Sequence, residues 1–420
     1  MLKKIFKSRI VKTDFVKNVG ALLTGTAIAQ AITLLFSVIL SRLYSPEEFG
    51  NYAIFASLVA GVSVIVCGRF ELAIVLPKED KEAQSIMHLS FIFSILVSSL
   101  FFLVVLILVL LSKINAIYLL APVSTFLLGN FQTLNNWYIR KQQYKIISKS
   151  RIYAALSNML VSFLLGIFGL TKLGLIFSHS ASSLFTNFTL KGYLTALQES
   201  LKVKYIDLKL TFIKYSQFIK YNAWQALSEM LVINGVFYLL PFFYEKYALG
   251  FFSFAIRILQ APMSLLGSSI AQVFFQQAAD NKNKNISNNY LVLSTIKKSA
   301  IVILPMPIVM YFWGPSIFAG VFGDKWRMAG ELAGVMSFWF YFDFIRATVS
   351  QFPIVLNKQK TILLYSLIGN IILFSVIAYF GLHSYSMLIC FKYLSFFMSL
   401  YTVFIIFWIY NLSKQIESTP

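Results

Sequence analysis

The chain has 420 residues, of which 58% are hydrophobic and only 12% are charged, with a mean hydropathy of +0.74 and a formal net charge of +20. Soluble domains carry roughly 25% charged residues, so this composition excludes a soluble protein, and its apolar excess excludes a disordered one. The composition predicts an all-α polytopic membrane protein, in which the loops have to account for the positive charge.

Twelve apolar runs long enough for transmembrane helices follow one another along the chain. The runs in the first half cover about residues 19–40, 50–67, 86–111, 116–138, 152–170 and 173–190. The runs in the second half cover about residues 218–243, 249–277, 299–314, 330–351, 361–381 and 384–410. All loops on the predicted outer side are short, and the longest covers about residues 314–329.

The basic residues fall mainly on one side of these spans. With the N-terminus inside, the predicted cytoplasmic segments hold 27 of the 36 Lys and Arg, and the outer segments hold 6. Cytoplasmic loops collect Lys and Arg, so both termini are predicted to be cytoplasmic. Most of the net charge is then an orientation signal, and nucleic acid is not an expected partner.

The two halves of the chain resemble each other weakly at an offset of 200 residues. Residues 44–50 and 244–250 both run from a Tyr through five residues to a Gly, after an apolar run. Six spans per half give both halves the same orientation, as in transporters with parallel repeats, although chance similarity in an apolar sequence is an alternative. The predicted organisation is an N-terminal lobe over residues 1–195, a basic cytoplasmic linker over 196–217 and a C-terminal lobe over 218–420.

Residues arranged for catalysis are missing from the sequence. No Walker-type Gly-x-x-x-x-Gly-Lys motif occurs, and the three histidines, His88, His179 and His383, are not clustered as a metal site requires. We therefore predict no cofactor, no metal and no catalytic residue, and a protein that is not an enzyme. A membrane-embedded polymerase or ligase is the alternative from another class, and the short outer loops disfavour it.

Charged residues inside the predicted spans carry the functional information, since each costs about 2.5–3.5 kcal/mol at a helix centre on insertion scales. Cations there suit an anionic, phosphate-bearing substrate, which Arg binds in bidentate fashion. Acidic residues there are candidates to carry a coupling proton or sodium ion. The cations within spans are Arg257, Arg346 and Lys392, and the acidic residues are Glu229 and Asp343.

Arg257 has no local partner, which favours a position lining a cavity, whereas the other charges each have a structural alternative. Asp343 and Arg346 are three residues apart on a helix and can pair with each other. Lys392 lies near a span end and can extend its ammonium group toward water. Glu229 can hydrogen-bond within the helix bundle. Arg69, with Glu71 two residues later, can mark the inner membrane interface.

Several sequence segments resemble motifs of a known protein family. They are Ser-Arg-Leu-Tyr-Ser-Pro-Glu-Glu-Phe-Gly-Asn-Tyr-Ala at 41–53, Arg-Phe-Glu-Leu-Ala-Ile-Val-Leu-Pro at 69–77, 137–140 with 144–148, 250–262, and 323–326 with 329–331. In this order they resemble segments of bacterial polysaccharide-biosynthesis flippases, the Wzx-type O-antigen translocases. The resemblance covers about residues 18–360, and the last two spans match by hydropathy alone.

The resemblance implies the multidrug/oligosaccharidyl-lipid/polysaccharide exporter superfamily, with two six-helix lobes around a central cavity. It implies a flippase of the bacterial inner membrane that moves an undecaprenyl-diphosphate-linked oligosaccharide, such as an O-antigen unit of lipopolysaccharide, to the outer leaflet. Movement would occur by alternating access, coupled by antiport to a proton or sodium gradient. A drug exporter of the same superfamily is the alternative, and the cations within the spans disfavour it.

The resemblance also implies roles for three residues and a set of partners. Arg257 matches a cation that faces the cavity in related flippases, and Arg42 and Arg69 are assigned to the same substrate-binding group. The implied partners are the lipid-linked oligosaccharide, membrane lipids, a polysaccharide polymerase and a chain-length regulator.

Overall fold

The computed structural model describes residues 24–190, 205–284, 286–356 and 358–415, and within these ranges the chain forms helices and turns without a β-strand. The first part forms α1 (Thr24–Leu43), α2 (Pro46–Ser63), α3 (Asp80–Leu110), α4 (Leu120–Arg140), α5 (Tyr144–Ile167) and α6 (Thr171–Thr189). The second part forms α7 (Tyr205–Gln217), α8 (Ala223–Phe243), α9 (Lys246–Asn283), α10 (Asn289–Ile303), α11 (Pro305–Phe322), α12 (Arg327–Val349), α13 (Gln359–Leu382) and α14 (Met387–Gln415).

The helices confirm the predicted all-α polytopic fold. Each of the twelve predicted spans corresponds to a helix, and α10 and α11 together form the ninth span. In the described ranges, seven helices are long and apolar enough to cross a membrane by length and composition. The cytoplasmic placement of the two termini stays a prediction.

The predicted outer loop over about residues 314–329 is wrong. α11 continues through this region to Phe322, and only residues 323–326 separate it from α12. Pro315 lies within α11, at a position where the proline ring removes one helical hydrogen bond. A Cβ atom on Gly314 would lie 2.8 Å from a backbone oxygen of α12. The two helices therefore pack closely beside Pro315, and this packing supports α11 past the proline.

Helix α3 buries small polar side chains on one face and exposes large apolar side chains on the other, as a lipid-facing helix does. Ser90, Ser94 and Ser98 recur every four residues and are buried. The Ser94 hydroxyl donates to the Phe126 carbonyl of α4 at 3.4 Å. Small residues of this kind let membrane helices approach closely. The opposite face exposes large apolar side chains, namely Leu96, Leu100, Leu103, Ile107 and Leu110.

By their contacts, the described residues form two compact units. The first contains residues 24–36 and Ile54–Met230, and the second contains Ser37–Ala53 and the described residues from Leu231 onward. These units do not coincide with the lobes predicted from the sequence. The C-terminal end of α1 and the start of α2 belong to the second unit, although they come early in the chain.

Part of the predicted basic linker is a helix of the first unit. Residues 196–204 lie outside the described part of the chain, and α7 covers the remainder. The Lys214 ammonium and the Tyr215 hydroxyl both donate to the Glu82 carboxylate on α3. α7 is thus held against the first unit by polar contacts, rather than running freely between two lobes.

Hydrogen bonds to backbone carbonyls attach Ser37–Ala53 to the rest of the second unit. The Trp326 indole nitrogen donates to the Ser41 carbonyl at 2.8 Å, and the Lys325 ammonium donates to the Tyr44 carbonyl at 2.8 Å. Burial lowers the pKa of Lys325, and the nearby Glu48 carboxylate opposes this shift. These bonds satisfy carbonyls that a helix leaves unpaired at its C-terminus.

Two glycines let α2 and α9 cross at backbone contact distance within the second unit. A Cβ atom on Gly250 would lie 1.7 Å from the Pro46 carbonyl oxygen, and one on Gly50 would lie 2.2 Å from the Lys246 carbonyl oxygen. No side chain fits at either position without separating the helices. Gly50 and Gly250 are the two glycines that end the repeated Tyr-to-Gly segment of the sequence.

Candidate functional site

Arg257 lies on α9, in the second unit, about 16 Å along the helix from its first residue at 1.5 Å per residue. Its side chain is partly buried and interacts electrostatically with Tyr52 on α2. The glycine crossing explains this proximity, since Tyr52 follows Gly50 by two residues. Among the side chains that the structure describes, no carboxylate forms an ion pair with Arg257.

A proline places a polar backbone group beside Arg257. Pro262 lies inside α9 and has no N–H, so the carbonyl of Ile258 loses its usual helical partner. In a membrane, such a freed group is tolerated only where protein or a water-filled cavity satisfies it. Arg257 and Ile258 therefore form a polar position in an otherwise apolar stretch of helix.

Asp343 and Arg346 form an ion pair on α12. The Arg346 Nε and Nη2 atoms each lie 2.8 Å from the Asp343 Oδ1 atom, and both side chains are about one third exposed. Tyr401 on α14 interacts electrostatically with both residues. The structure thus realises the pairing alternative, and Arg346 differs from Arg257 in having a carboxylate beside it.

This pairing predicts a measurable coupling energy. Replacing Asp343 with Asn or Arg346 with Gln should each lower the thermal stability of the purified protein, and the double variant should recover part of the loss. We expect a coupling of about 0.5–3 kcal/mol, as for residues in direct contact. Asp324 and Arg327 provide the matched control, because they have the same spacing and a 2.8 Å contact but are well exposed.

For the exposed control pair, the coupling should stay below about 1 kcal/mol. Equal coupling in both pairs, or no coupling between Asp343 and Arg346, would contradict the assignment of a membrane-embedded pair.

Arg69 and Glu71 lie in the first unit, in the turn between α2 and α3. Gly68 and Arg69 are both left-handed, with φ angles of 60° and 62°. The Arg69 Nη1 atom lies 3.8 Å from the Glu71 Oε1 atom, and Glu71 is 3% exposed. The Glu71 Oε2 atom is buried without a hydrogen-bond partner among the described residues. This geometry holds a buried carboxylate close to a cation at one end of the bundle.

The remaining predicted site residues are Arg42, Lys392 and Glu229, and the structure shows no described ion pair for Arg42 or Lys392. Arg42 is exposed at the end of α1. Lys392 is exposed near the start of α14, among the exposed apolar side chains of Ile389, Tyr393 and Phe396, which favours the alternative of an ammonium group extended toward water. Glu229 lies on α8, and its side chain is outside the described part of the structure.

The sequence reasoning missed one cation, Arg151. It was counted with the cytoplasmic loop before residue 152, but α5 begins at Tyr144, so Arg151 lies about 10 Å inside that helix. Arg151 lines a cavity of about 460 Å³ within the first unit. The other residues that line this cavity are Thr26, Ala29, Gln30 and Thr33 of α1, Leu127, Leu128 and Phe131 of α4, Ala154 of α5, and His179, Ser182, Ser183 and Thr186 of α6.

Residues 39–331 match the sequence model of a family described as polysaccharide biosynthesis protein. The chain belongs to this family. The match spans all the segments that suggested the resemblance to polysaccharide flippases. No curated protein sequence matches the chain.

Solved structures with the same fold are transporters. The chain resembles a multidrug resistance MATE family transporter of the MOP superfamily in its inward-facing conformation, with a TM-score of 0.63, 12% identity and 95% of each chain covered. The outward-facing conformation of such a transporter gives a TM-score of 0.60 at 11% identity, with 96% of this chain and 97% of that chain covered.

A third similar structure is a MOP superfamily transporter from Pyrococcus furiosus. It gives a TM-score of 0.61 at 12% identity, with 96% of this chain and 97% of that chain covered. It is described as having a binding pocket of reverse polarity that suggests a different function. At these identities the likeness establishes the fold, which places this member of the polysaccharide biosynthesis family among multi-pass membrane proteins with a transporter fold.

Proposed function

We propose that this protein is a flippase that moves a lipid-linked oligosaccharide from the cytoplasmic to the outer leaflet of the bacterial inner membrane by alternating access. The family links the chain to polysaccharide synthesis, and the transporter fold supports movement of a substrate rather than its chemical conversion. The observation that carries the substrate class is Arg257, a partly buried guanidinium on a membrane helix that pairs with no described carboxylate.

The chemistry of Arg257 suits a diphosphate. A guanidinium presents parallel N–H groups that match two phosphate oxygens, and it keeps its charge at any physiological pH. Leaving such a charge unpaired in a membrane helix is unfavourable, so its presence is best explained by an anionic ligand that arrives during transport. The undecaprenyl-diphosphate group of a lipid-linked oligosaccharide is such a ligand.

The polarity of this position disfavours drug export. A cationic drug would be repelled by Arg257 and would gain nothing from it. For the Pyrococcus furiosus transporter, the reverse polarity of its binding pocket is likewise described as suggesting a different function. The membrane-embedded polymerase or ligase is disfavoured because the described turns on the predicted outer side are short, including residues 323–326 before α12.

We further propose that a proton or sodium gradient drives transport through Glu229 or Asp343. The Asp343 Oδ1 atom lies 2.8 Å from both the Nε and the Nη2 atoms of Arg346. A proton or sodium ion bound at this carboxylate would compete with the guanidinium and release Arg346 toward a substrate phosphate. Ion binding and substrate binding would then be coupled through a single side-chain pair.

A deletion strain tests the function directly. Without the protein, single lipid-linked repeat units should accumulate on the cytoplasmic leaflet, and the wild-type gene should restore surface polysaccharide. The measurement is the amount of lipid-linked sugar accessible to a membrane-impermeant glycosidase in spheroplasts and in inverted vesicles. Accumulation of single units on the outer leaflet would instead identify a polymerase, and unchanged amounts would contradict both functions.

A further inference from the structure

The cavity of the first unit is chemically distinct from the Arg257 position. It is lined by residues of α1, α4, α5 and α6, all within one unit. Its volume of about 460 Å³ is in the range of small-molecule sites, which span about 300–1,000 Å³. The described residues that line it include one Arg and one His but no Asp or Glu. The charged group that the described lining contributes is therefore the Arg151 guanidinium, with no carboxylate beside it to repel an anion.

Arg151 is held in place but is not neutralised. Its Nη1 atom donates to the Thr26 hydroxyl of α1 at 2.7 Å. A guanidinium has five N–H donors, and this described contact uses one of them. None of the ion pairs among the described side chains involves Arg151. A single hydrogen bond to a neutral hydroxyl orients the group and leaves its charge available to a ligand.

The hydroxyl groups on α6 complement this charge. Ser182 and Ser183 both donate to the His179 carbonyl, at 2.8 and 3.0 Å, and Thr186 donates to the Ser182 carbonyl at 2.6 Å. A hydroxyl that has used its proton in this way retains lone pairs that accept hydrogen bonds. The α6 hydroxyls thus offer hydrogen-bond acceptors to the cavity. A ligand with hydroxyl donors of its own would satisfy these acceptors.

From these features we infer that the cavity binds an anionic sugar, either a sugar acid or a sugar phosphate, with Arg151 holding the anionic group and the α6 hydroxyls accepting from the sugar hydroxyls. This inference rests on the proposed function and refines it. It assigns the saccharide part of the substrate to a site that the first unit forms by itself.

Binding to the purified full-length protein tests the assignment. The probes are glucuronate and glucose 1-phosphate. Glucose is the uncharged control, and inorganic phosphate is the anionic control that has no sugar ring. Both anionic sugars should bind at least about tenfold more tightly than glucose, because a charge-assisted hydrogen bond contributes roughly 1.5–3 kcal/mol. The relative affinity of glucuronate and glucose 1-phosphate distinguishes a sugar acid from a sugar phosphate as the natural group.

Two variants locate the binding. Arg151→Gln should remove the preference for anionic sugars, and Ala154→Phe should block the cavity while keeping the charge. The control is Arg327→Gln, which removes an exposed arginine far along the chain and should leave binding unchanged. Wild-type affinity in both cavity variants would overturn the inference, as would phosphate binding as tightly as glucose 1-phosphate.

Reconstituted vesicles separate this inference from the proposed function. If the wild-type protein moves lipid-linked sugar and both cavity variants move it equally well, the sugar site is wrong and the flippase stands. If the wild-type protein moves no lipid-linked sugar but binds glucuronate through Arg151, the flippase is wrong and the sugar site stands.

Discussion

Replacing Arg257 with alanine is expected to abolish surface polysaccharide while leaving the amount of protein in the membrane unchanged. The variant removes a guanidinium that pairs with no described carboxylate, so among the described side chains it leaves no acidic partner unpaired. The loss of charge-assisted hydrogen bonds to a diphosphate should reduce transport by about one to two orders of magnitude, at roughly 1.5–3 kcal/mol for such bonds.

Two further variants make this expectation specific. Arg257→Lys keeps the charge but loses the bidentate geometry, so it should retain partial transport. Arg327→Ala removes an exposed arginine and should behave as the wild type. The measurements are surface polysaccharide, membrane-protein level and accumulated lipid-linked sugar. Normal polysaccharide from Arg257→Ala would remove Arg257 from the substrate site.

Replacing Gly250 with alanine is expected to be among the most damaging single-methyl additions in the chain. The new Cβ atom would lie 1.7 Å from the Pro46 carbonyl oxygen, which is backbone and cannot rotate away. The helices α2 and α9 would have to separate, at a cost of about 1–3 kcal/mol or more for overpacking of this kind. We expect a lower melting temperature in detergent and less protein in the membrane.

Gly320→Ala is the matched control, because a Cβ atom there meets nothing within 4 Å and Gly320 also lies in a membrane helix. Its melting temperature should equal or exceed that of the wild type, since alanine favours a helix over glycine. If Gly250→Ala proved as stable as Gly320→Ala, the close crossing of α2 and α9 would be refuted.

The existence and order of the membrane helices were accessible from the sequence. A span needs about 20 apolar residues regardless of its neighbours, so each helix leaves a local signal. The Asp343–Arg346 contact was accessible for the same reason, since residues three apart on one helix are neighbours. The two repeated glycines were visible as a pattern, but their contact with opposite helices was not.

The misplaced features depend on a polar helix start or on contacts between helices. α5 begins with Tyr-Lys-Ile-Ile-Ser-Lys-Ser-Arg, a polar stretch that hydropathy assigns to a loop, so Arg151 was counted as an orientation signal. α11 continues past Pro315 because α12 packs against it. Ser37–Ala53 joins the second unit through bonds from Lys325 and Trp326, nearly 300 residues away. No local pattern encodes such contacts.

Length, apolar content and the sidedness of the basic residues were sufficient to specify a polytopic helical membrane protein and its span order, because lipid imposes the same requirement on every span separately. The surroundings of Arg257 and Arg151 were decided by tertiary structure. Arg346 was found beside a carboxylate, Arg257 beside a tyrosine, and Arg151 in a cavity built from four helices. The physical reason is that the partner of Arg346 lies three residues away on the same helix, whereas the groups around Arg257 and Arg151 come from other helices.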